Sequence, residues 1–478
     1  MTEPTEPPEP PDVTEPTEPT EVTEPTEPTG PDLPSRDRKP ETVPVHASIT
    51  AAYLARYRTA AADSPAELLP LTGAQRRFLI TRRLAPQTRS DVVPLFFAYP
   101  RGTLDEQRLA RAATAVAARH PALCGGFATV RGTPVLRAGG PSAEAARIAV
   151  TPGGTAREAL RAALLDWPVD GPALRLLFAR EPDGDEELLA LALDHAACDE
   201  QSLGVLTAEL SQAYEADEPP AAGPAPQALA DYRQAVELQL AAEDAAGGPA
   251  AHAHWGRRLG ALTGAGGGAA TSTGMLAERL PAADGAARSA VFPALLDAVG
   301  AAAHRLHREA GPLALGYPWG GRPPGAPAAL GCFLNTLVHP AGPAAPVGTS
   351  DLDALADAWW DDLDHAGTPF DEVVRAARTA GAPWSGALDA MLTLEDLHRR
   401  PPLVLGGTPG RETHLAGRPL AAPLAVSASH GDDLLVRFAW DSDRFPEADA
   451  RAAFDDLLAV LRHHLHATSE RPHLNAHF

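Results

Sequence analysis

Asp194, His195, Cys198, Asp199, Glu200 and Ser202 stand together in the stretch Asp194-His195-Ala196-Ala197-Cys198-Asp199-Glu200-Gln201-Ser202. Histidine is the side chain whose ordinary pKa lets it take up and return a proton near neutrality. A carboxylate four residues on, here Asp199, can fix the orientation of the ring or of the loop that carries it. Taken alone, the pair allows two readings: general-base catalysis, with His195 drawing a proton from a reacting group, or a structural histidine beside a carboxylate. Cys198 is a nucleophile by type. Flanked by Ala196 and Ala197, it reads instead as a small apolar core residue. The chain has a single lysine, Lys39, in a segment rich in Pro, Asp and Arg. A phosphate-binding loop needs a lysine on the phosphates, and Schiff-base catalysis needs a buried one. Both chemistries are therefore unexpected, and so is ATP-driven activation.

A base must be held by rigid elements. Glu187-Leu188-Leu189-Ala190-Leu191-Ala192-Leu193 reads as a buried strand running straight into Asp194 and His195. Leu203 to Tyr214 reads as the helix that follows. The motif thus lies where a strand ends and a helix begins, a place from which polar groups face a cleft. Val92 to Phe97 and Arg175 to Ala179 read as further strands, the second followed by a Pro182-Asp183-Gly184 turn. Leu104 to His120 reads as a helix, and Thr72 as the N-cap of another. Residues 216–228 read as a loop, Asp231 to Glu243 as a helix, and Gly264 to Gly274 as a flexible loop. Leu313 to Pro318 reads as a strand of a second α/β region reaching about His466.

The chain has 478 residues, 44% of them hydrophobic. That length exceeds one ordinary core and points to two lobes. Cys124, Cys198 and Cys332 are widely spaced, so neither a disulfide framework nor a metal centre is expected. This suits a reducing cytoplasm. The net charge is -22, and the first 32 residues hold eight Glu and two Asp with no basic residue. Their Thr-Glu-Pro repeats predict an extended, disordered tail, a solubilising leader or a docking segment. Without a basic patch the protein is a poor nucleic-acid binder. No run of about 20 apolar residues predicts a membrane span, and the acidic start is unlike a signal peptide.

The motif stretch resembles the HHxxxDGxS signature of condensation domains from nonribosomal peptide synthetases, in the superfamily of chloramphenicol acetyltransferase. Asp194 falls on the first His, His195 on the second, Asp199 on the Asp, Glu200 on the Gly and Ser202 on the Ser. Pro70-Leu71-Thr72-Gly73-Ala74-Gln75 is similar to the opening PLSPxQ, and Arg119-His120-Pro121-Ala122-Leu123 to RHPxLR. Asp170 to Arg175 is similar to the segment before the motif strand, and Asp231-Tyr232 with Trp255 to the DY…YW helix region. Gly316 to Arg322 resembles GxPxxGR, Gly331 to Leu337 resembles GxFxNTLPLR, and Pro369 to Val374 resembles PFexlv. These matches are collinear over about residues 66–468.

The resemblance implies an α/β (α+β) fold of two chloramphenicol-acetyltransferase-like lobes in a V, with a tunnel at their junction. The expected divisions are a disordered tail at 1–45, an N-terminal lobe at 46–235, a C-terminal lobe at 236–470 and a short tail at 471–478. It implies an acyl donor carried as a thioester on the phosphopantetheine arm of a carrier protein acting in trans, and no permanently bound cofactor. It makes His195 the catalytic base and Asp199 the organiser of its loop. Asp194, Glu200, Ser202, Asn335 and Thr336 would line the tunnel. Arg175 and Arg322 would be structural, with Arg322 in the segment bridging the lobes.

The pattern is broken at four places. Asp194 replaces the first His, and either raises the pKa of His195 or turns into a polar contact. Glu200 replaces a glycine that leaves room for the pantetheine arm; it narrows the tunnel, meets an unusual acceptor or marks a disused site. Cys124 stands where the family has an Arg paired with the Asp, so Asp199 needs another cation, Arg175 or Arg131. His339 ends the NTLPLR-like segment and reads as a strand-end surface residue. The expected function is a free-standing condensation enzyme that forms an amide or an ester in natural-product biosynthesis. The alternatives are a silent domain that recruits a partner enzyme to a carrier-bound intermediate, and transfer from a coenzyme A thioester.

Overall fold

A computed structural model describes residues 47–469, apart from 65–66, 85, 87–89, 169, 182, 217–219, 265–266, 282–285, 344–345 and 347, and apart from the side chains of 286–290, 399 and 467–469. The expected tails at 1–45 and 471–478 and the turn at Pro182 lie outside the described residues, as does part of the loop at 264–274.

The first lobe runs α1 (Ile49–Ala62), β1 (Leu68–Leu69), α2 (Gly73–Leu84), β2 (Val92–Pro100), α3 (Glu106–Ala117), β3 (Cys124–Val130), β4 (Thr133–Pro141), β5 (Ala143–Arg147), α4 (Ala156–Leu165), β6 (Leu174–Arg180), β7 (Glu186–Asp194), α5 (Glu200–Glu215) and α6 (Pro226–Ala246). The second runs α7 (Pro249–Leu259), β8 (Thr273–Pro281), α8 (Ala286–His307), β9 (Leu313–Trp319), β10 (Asn335–Ala341), α9 (Leu352–Leu363), α10 (Phe370–Thr379), β11 (Ala390–Asp396), β12 (Val404–Leu405), β13 (Thr408–Pro409), β14 (Arg411–Thr413), β15 (Leu424–His430), β16 (Asp433–Asp441) and α11 (Glu447–Ser469).

β7 is the spine of the first lobe. Its apolar run is continuous because both of its faces are covered. Leu189, Leu191 and Leu193 enter the core formed with α3, α5 and α6, while Leu188, Ala190 and Ala192 pack with α4. It lies between β2 and β6, antiparallel to both, in a sheet ordered β14-β2-β7-β6-β5. The register sets Val92 opposite Asp194. His195 N–H donates to the Asp91 carbonyl at 2.8 Å, so β2 fixes where the strand gives way to the histidine. The second lobe has a six-stranded sheet ordered β10-β9-β11-β15-β16-β8, in which β11 runs parallel to β9 and β15. Its core joins α8 and α11 to Trp255, Tyr317, Trp384 and Phe438.

The lobes share chain segments. After β11 the chain leaves the second sheet and places Leu403 and Leu405 in the core of the first lobe. β14 then pairs with β2, Arg411 opposite Ala98. Tyr99 Oη donates to the Leu403 carbonyl at 2.9 Å. α6 runs through the expected boundary at 235/236, and both Ala235 and Val236 belong to the first core. α3 is shorter than expected because Asp105 caps it, accepting from Arg108 N–H at 2.8 Å, and Pro121 follows its end. α6 starts inside the expected 216–228 loop, with Pro226 in its first turn.

His339 is corrected from a surface residue to a buried one. It lies inside β10, 8% exposed, with Nδ1 3.2 Å from Arg258 Nη2. Burial, reinforced by Arg258, pushes its pKa down to about 3, so it stays neutral.

At Gly410 the crossing strand comes against Tyr99 so closely that a Cβ would lie 2.5 Å from the Tyr99 hydroxyl oxygen. Gly410→Ala should displace β14 and cost about 1–3 kcal/mol. Urea unfolding checks this; an unchanged midpoint would show that the crossing strand contributes nothing.

Candidate active site

β7 ends at Asp194 and the chain makes one 3-10 turn, His195–Ala197. The Asp194 carboxylate accepts from Ala196 N–H at 2.9 Å and stops the strand there. Asp199 then caps α5, with Oδ1 accepting from Ser202 N–H at 2.9 Å and from the Ser202 hydroxyl at 2.7 Å. Cys198 is buried, as its apolar neighbours predict, and burial pushes its thiol well above the usual range.

The other Asp199 oxygen reaches the second lobe. Oδ2 accepts from Phe333 N–H at 3.1 Å and pairs with Arg322 Nη1 at 3.2 Å. Arg322 also donates to Gln201 Oε1 at 2.6 Å and to the Ala329 carbonyl at 2.8 Å, and it stacks over Phe333. Ser202 Oγ accepts from Gly331 N–H at 3.1 Å. The cation that Asp199 lacks at Cys124 thus comes from Arg322, across the lobes. Neither expected substitute serves. Arg175 pairs with Glu144 at 3.0 Å within the first lobe, so it does not bridge the lobes. Arg131 pairs with Asp63.

The His195 ring lies against Phe78 of α2, with centroids 4.1 Å apart and planes 20° from parallel. Burial lowers its pKa below the ordinary histidine value and outweighs the opposing pull of Asp194. Its Nδ1 lies beside the backbone of its own turn without a well-formed hydrogen bond. At neutral pH the ring is uncharged, as a base requires. Asp194 pulls the ring's pKa up without overcoming burial. It is taken up by Arg82 at 2.6 Å, which also holds Asp91 at 2.5 Å. With Arg82 it lines a separate small cavity of about 70 Å³ rather than the main one.

The main cavity, of about 260 Å³, lies where α2 and α6 meet the second lobe. Arg322, Phe333, Asn335 and Thr336 line it from the second lobe. Asn335 also braces its wall, donating to the carbonyls of Ala366 at 2.8 Å and Thr368 at 2.6 Å. Arg77, Phe78, Glu243, Phe370 and Asp371 also line it; Phe370 and Asp371 belong to the PFexlv-like segment, but none of the five was read from the sequence as a site residue. Phe78 also stacks on His195, and so stands between that ring and the cavity. α2 is tied to the histidine turn by Gln75, whose Nε2 donates to the Ala196 carbonyl at 2.8 Å and to Tyr232 Oη at 3.0 Å.

Glu200 lies outside that cavity. It faces Glu395 on β11 and Glu412 on β14, with Arg400 among them, on the side of the motif where the chain crosses between lobes. Although it reaches solvent, the protein around it and then Glu395 push its pKa up to about 7. Glu412 pairs with Arg400, and Glu395 with Arg437 at 3.4 Å and with the Ser429 hydroxyl at 2.9 Å.

Two consequences are measurable. Arg322→Ala strands the Asp199 carboxylate, 6% exposed. It should cost about 3–5 kcal/mol in urea unfolding; a loss below about 1 kcal/mol would remove the pair from its central place. Glu200 binds its proton more tightly folded than unfolded. It therefore favours the fold at pH values below its ordinary range, and that contribution is lost as the pH rises through about 7. Glu200→Gln should raise the Tm relative to the parent more at pH 8 than at pH 5; an equal shift at both values contradicts the assignment.

No protein-family model and no curated protein matches the chain. Solved structures do. The first condensation domain of the CDA synthetase is 19% identical, with a TM-score of 0.61 over 84% of this chain and 97% of that one. A variant of the starter condensation domain of rhizomide synthetase, in complex with C8-CoA and Leu-SNAC, is 17% identical, with a TM-score of 0.62 over 84% and 95%. The X-domain in its complex with OxyB from teicoplanin biosynthesis is 17% identical, with a TM-score of 0.57 over 85% and 94%. Among the described residues no helix is long and apolar enough to cross a membrane. The chain has the fold of the condensation domains of nonribosomal peptide synthetases.

Proposed function

We propose that this chain is a condensation enzyme. It transfers an acyl or aminoacyl group from the phosphopantetheine thioester of a carrier protein, supplied in trans, to an amine or hydroxyl acceptor. The observation that carries the reading is the uncharged His195 at the end of β7, on a turn held by the Asp199–Arg322 pair and beside a cavity between the lobes. The acceptor nitrogen or oxygen attacks the thioester carbonyl and the new bond forms. The carbon–sulfur bond breaks, and the acceptor's proton passes through His195 to the departing thiolate. Asp199 positions the turn and does not touch the reacting atoms. Asn335 and Thr336 shape the acceptor's wall. The similar starter condensation domain variant in complex with C8-CoA and Leu-SNAC supports a thioester donor.

A second reading has its own support. Phe78 covers one face of His195, Glu200 holds the glycine position, and the X-domain relative was solved with OxyB. On that reading the chain binds a loaded carrier and recruits a second enzyme without turnover.

Loaded carrier proteins, each offered with a set of amines and alcohols, separate the two by mass spectrometry of the products. Acyl-coenzyme A donors form a parallel arm. Transfer should occur and fall at least ~100-fold in His195→Ala, the span of a lost general base. Transfer that survives this substitution would remove His195 from the mechanism. Carrier binding without any transfer would favour the recruiting domain.

A further inference from the structure

Two charged groups line the main cavity without neutralising each other. Arg77 projects from α2, its guanidinium 3.7 Å from the centre of the Phe370 ring. Asp371 is the next residue on α10. Among the described residues, the guanidinium has no hydrogen-bond acceptor and no ion-pair partner within 4.0 Å, and the Asp371 carboxylate has no donor. The neighbouring charges are all engaged. Arg76 pairs with Glu243 at 3.5 Å, Glu243 accepts from Gly73 N–H at 3.0 Å, and Arg322 is held by Asp199. Arg77 and Asp371, both half-buried, are thus the charged groups of this cavity with no partner among the described residues.

A half-buried guanidinium with no acceptor in the protein is left to solvent or to a ligand in the cavity. Burial does lower the Arg77 pKa, to about 10, and raises that of Asp371 above the usual carboxylate range. Arg77 remains charged at neutral pH. Its planar fork matches a carboxylate bidentately. Phe370 fills one face of the fork and leaves its edge for a ligand. About 260 Å³ is at or below the small end of ligand pockets, room for a compact molecule and not for a long chain. Phe78, on the same helix as Arg77, lines this space and stacks on His195.

We propose that the cavity binds the acceptor as a free amino acid. Its carboxylate sits on the Arg77 fork and its ammonium end lies toward Asp371. This rests on the transferase reading for the word acceptor, and on the cavity alone for the binding. A carboxylate held by Arg77 is a free acid and not a carrier-bound thioester, so the acceptor would come from solution. It must lose one ammonium proton before attack, which Asp371 is placed to receive. The second proton leaves with the thiolate, as in the transfer itself.

Binding is tested without any donor, so it does not depend on turnover. The twenty common amino acids and their carboxamides are titrated calorimetrically into the full chain and into Arg77→Met. At least one free acid should bind, at least tenfold more tightly than its carboxamide. Arg77→Met should abolish that preference while keeping the parent circular dichroism and Tm. Arg77→Lys, which keeps the charge but not the fork, should fall between. If no free acid binds, or if acid and carboxamide bind equally to the parent, the proposal is wrong. Selective binding with no transfer from any loaded carrier would instead leave the site standing and overturn the transferase reading.

Discussion

The ion pair between Asp199 and Arg322 is the constraint on which the candidate site depends. Asp199 sits at the start of α5 in the first lobe, and Arg322 in the segment between β9 and β10 of the second. A buried carboxylate that both caps a helix and meets a cation from another lobe fixes three things together: the helix, the turn before it and the distance between the lobes. His195 lies on that turn. Its position is therefore set by contacts that never touch its ring. Such a pair gains little net stability over apolar packing, but removing one member is expensive. Its value is specificity of position.

Other contacts repeat the same logic. Ser202 carries the bracket on to Gly331, and Phe333 N–H adds to Asp199. Gln75 holds α2 to the histidine turn, while Asn335 holds β10 to the loop at Ala366–Thr368. The crossing segment brings Leu403, Leu405 and β14 from the second lobe into the first. A cavity lined from both lobes can keep its shape only if the lobes are fastened on more than one side, and here they are fastened both at Asp199 and at β14.

Much of this was legible in the residues. The continuous apolar run of β7 announced a buried strand, and the Asp-His-x-x-x-Asp motif places His195 at its end. The partner of Asp199 was not legible. Arg175 and Arg131 are nearer along the chain, and only folding brings Arg322, 123 residues away, to the carboxylate. The fate of Asp194 was half legible: a polar contact was foreseen, but not Arg82, whose side chain comes from α2. His339 was misjudged because a His-Pro pair at a segment's end reads as a strand terminus, whereas β10 continues to Ala341 and buries it. Arg77 and Phe78 carry no local signal, and the PFexlv-like segment that holds Asp371 does not mark it as a site residue. Their meaning comes from α2 and α10 facing one cavity, which is a property of packing.

The central claim is that His195 works as an uncharged base. Its most direct test is the rate of a single turnover between a loaded carrier and a saturating acceptor, followed across pH in the parent and in His195→Ala. The account predicts a parent rate that rises through an apparent pKa below 6.5 and then levels, a limb that the variant lacks. The same limb in both proteins, or one centred well above 6.5, would contradict it.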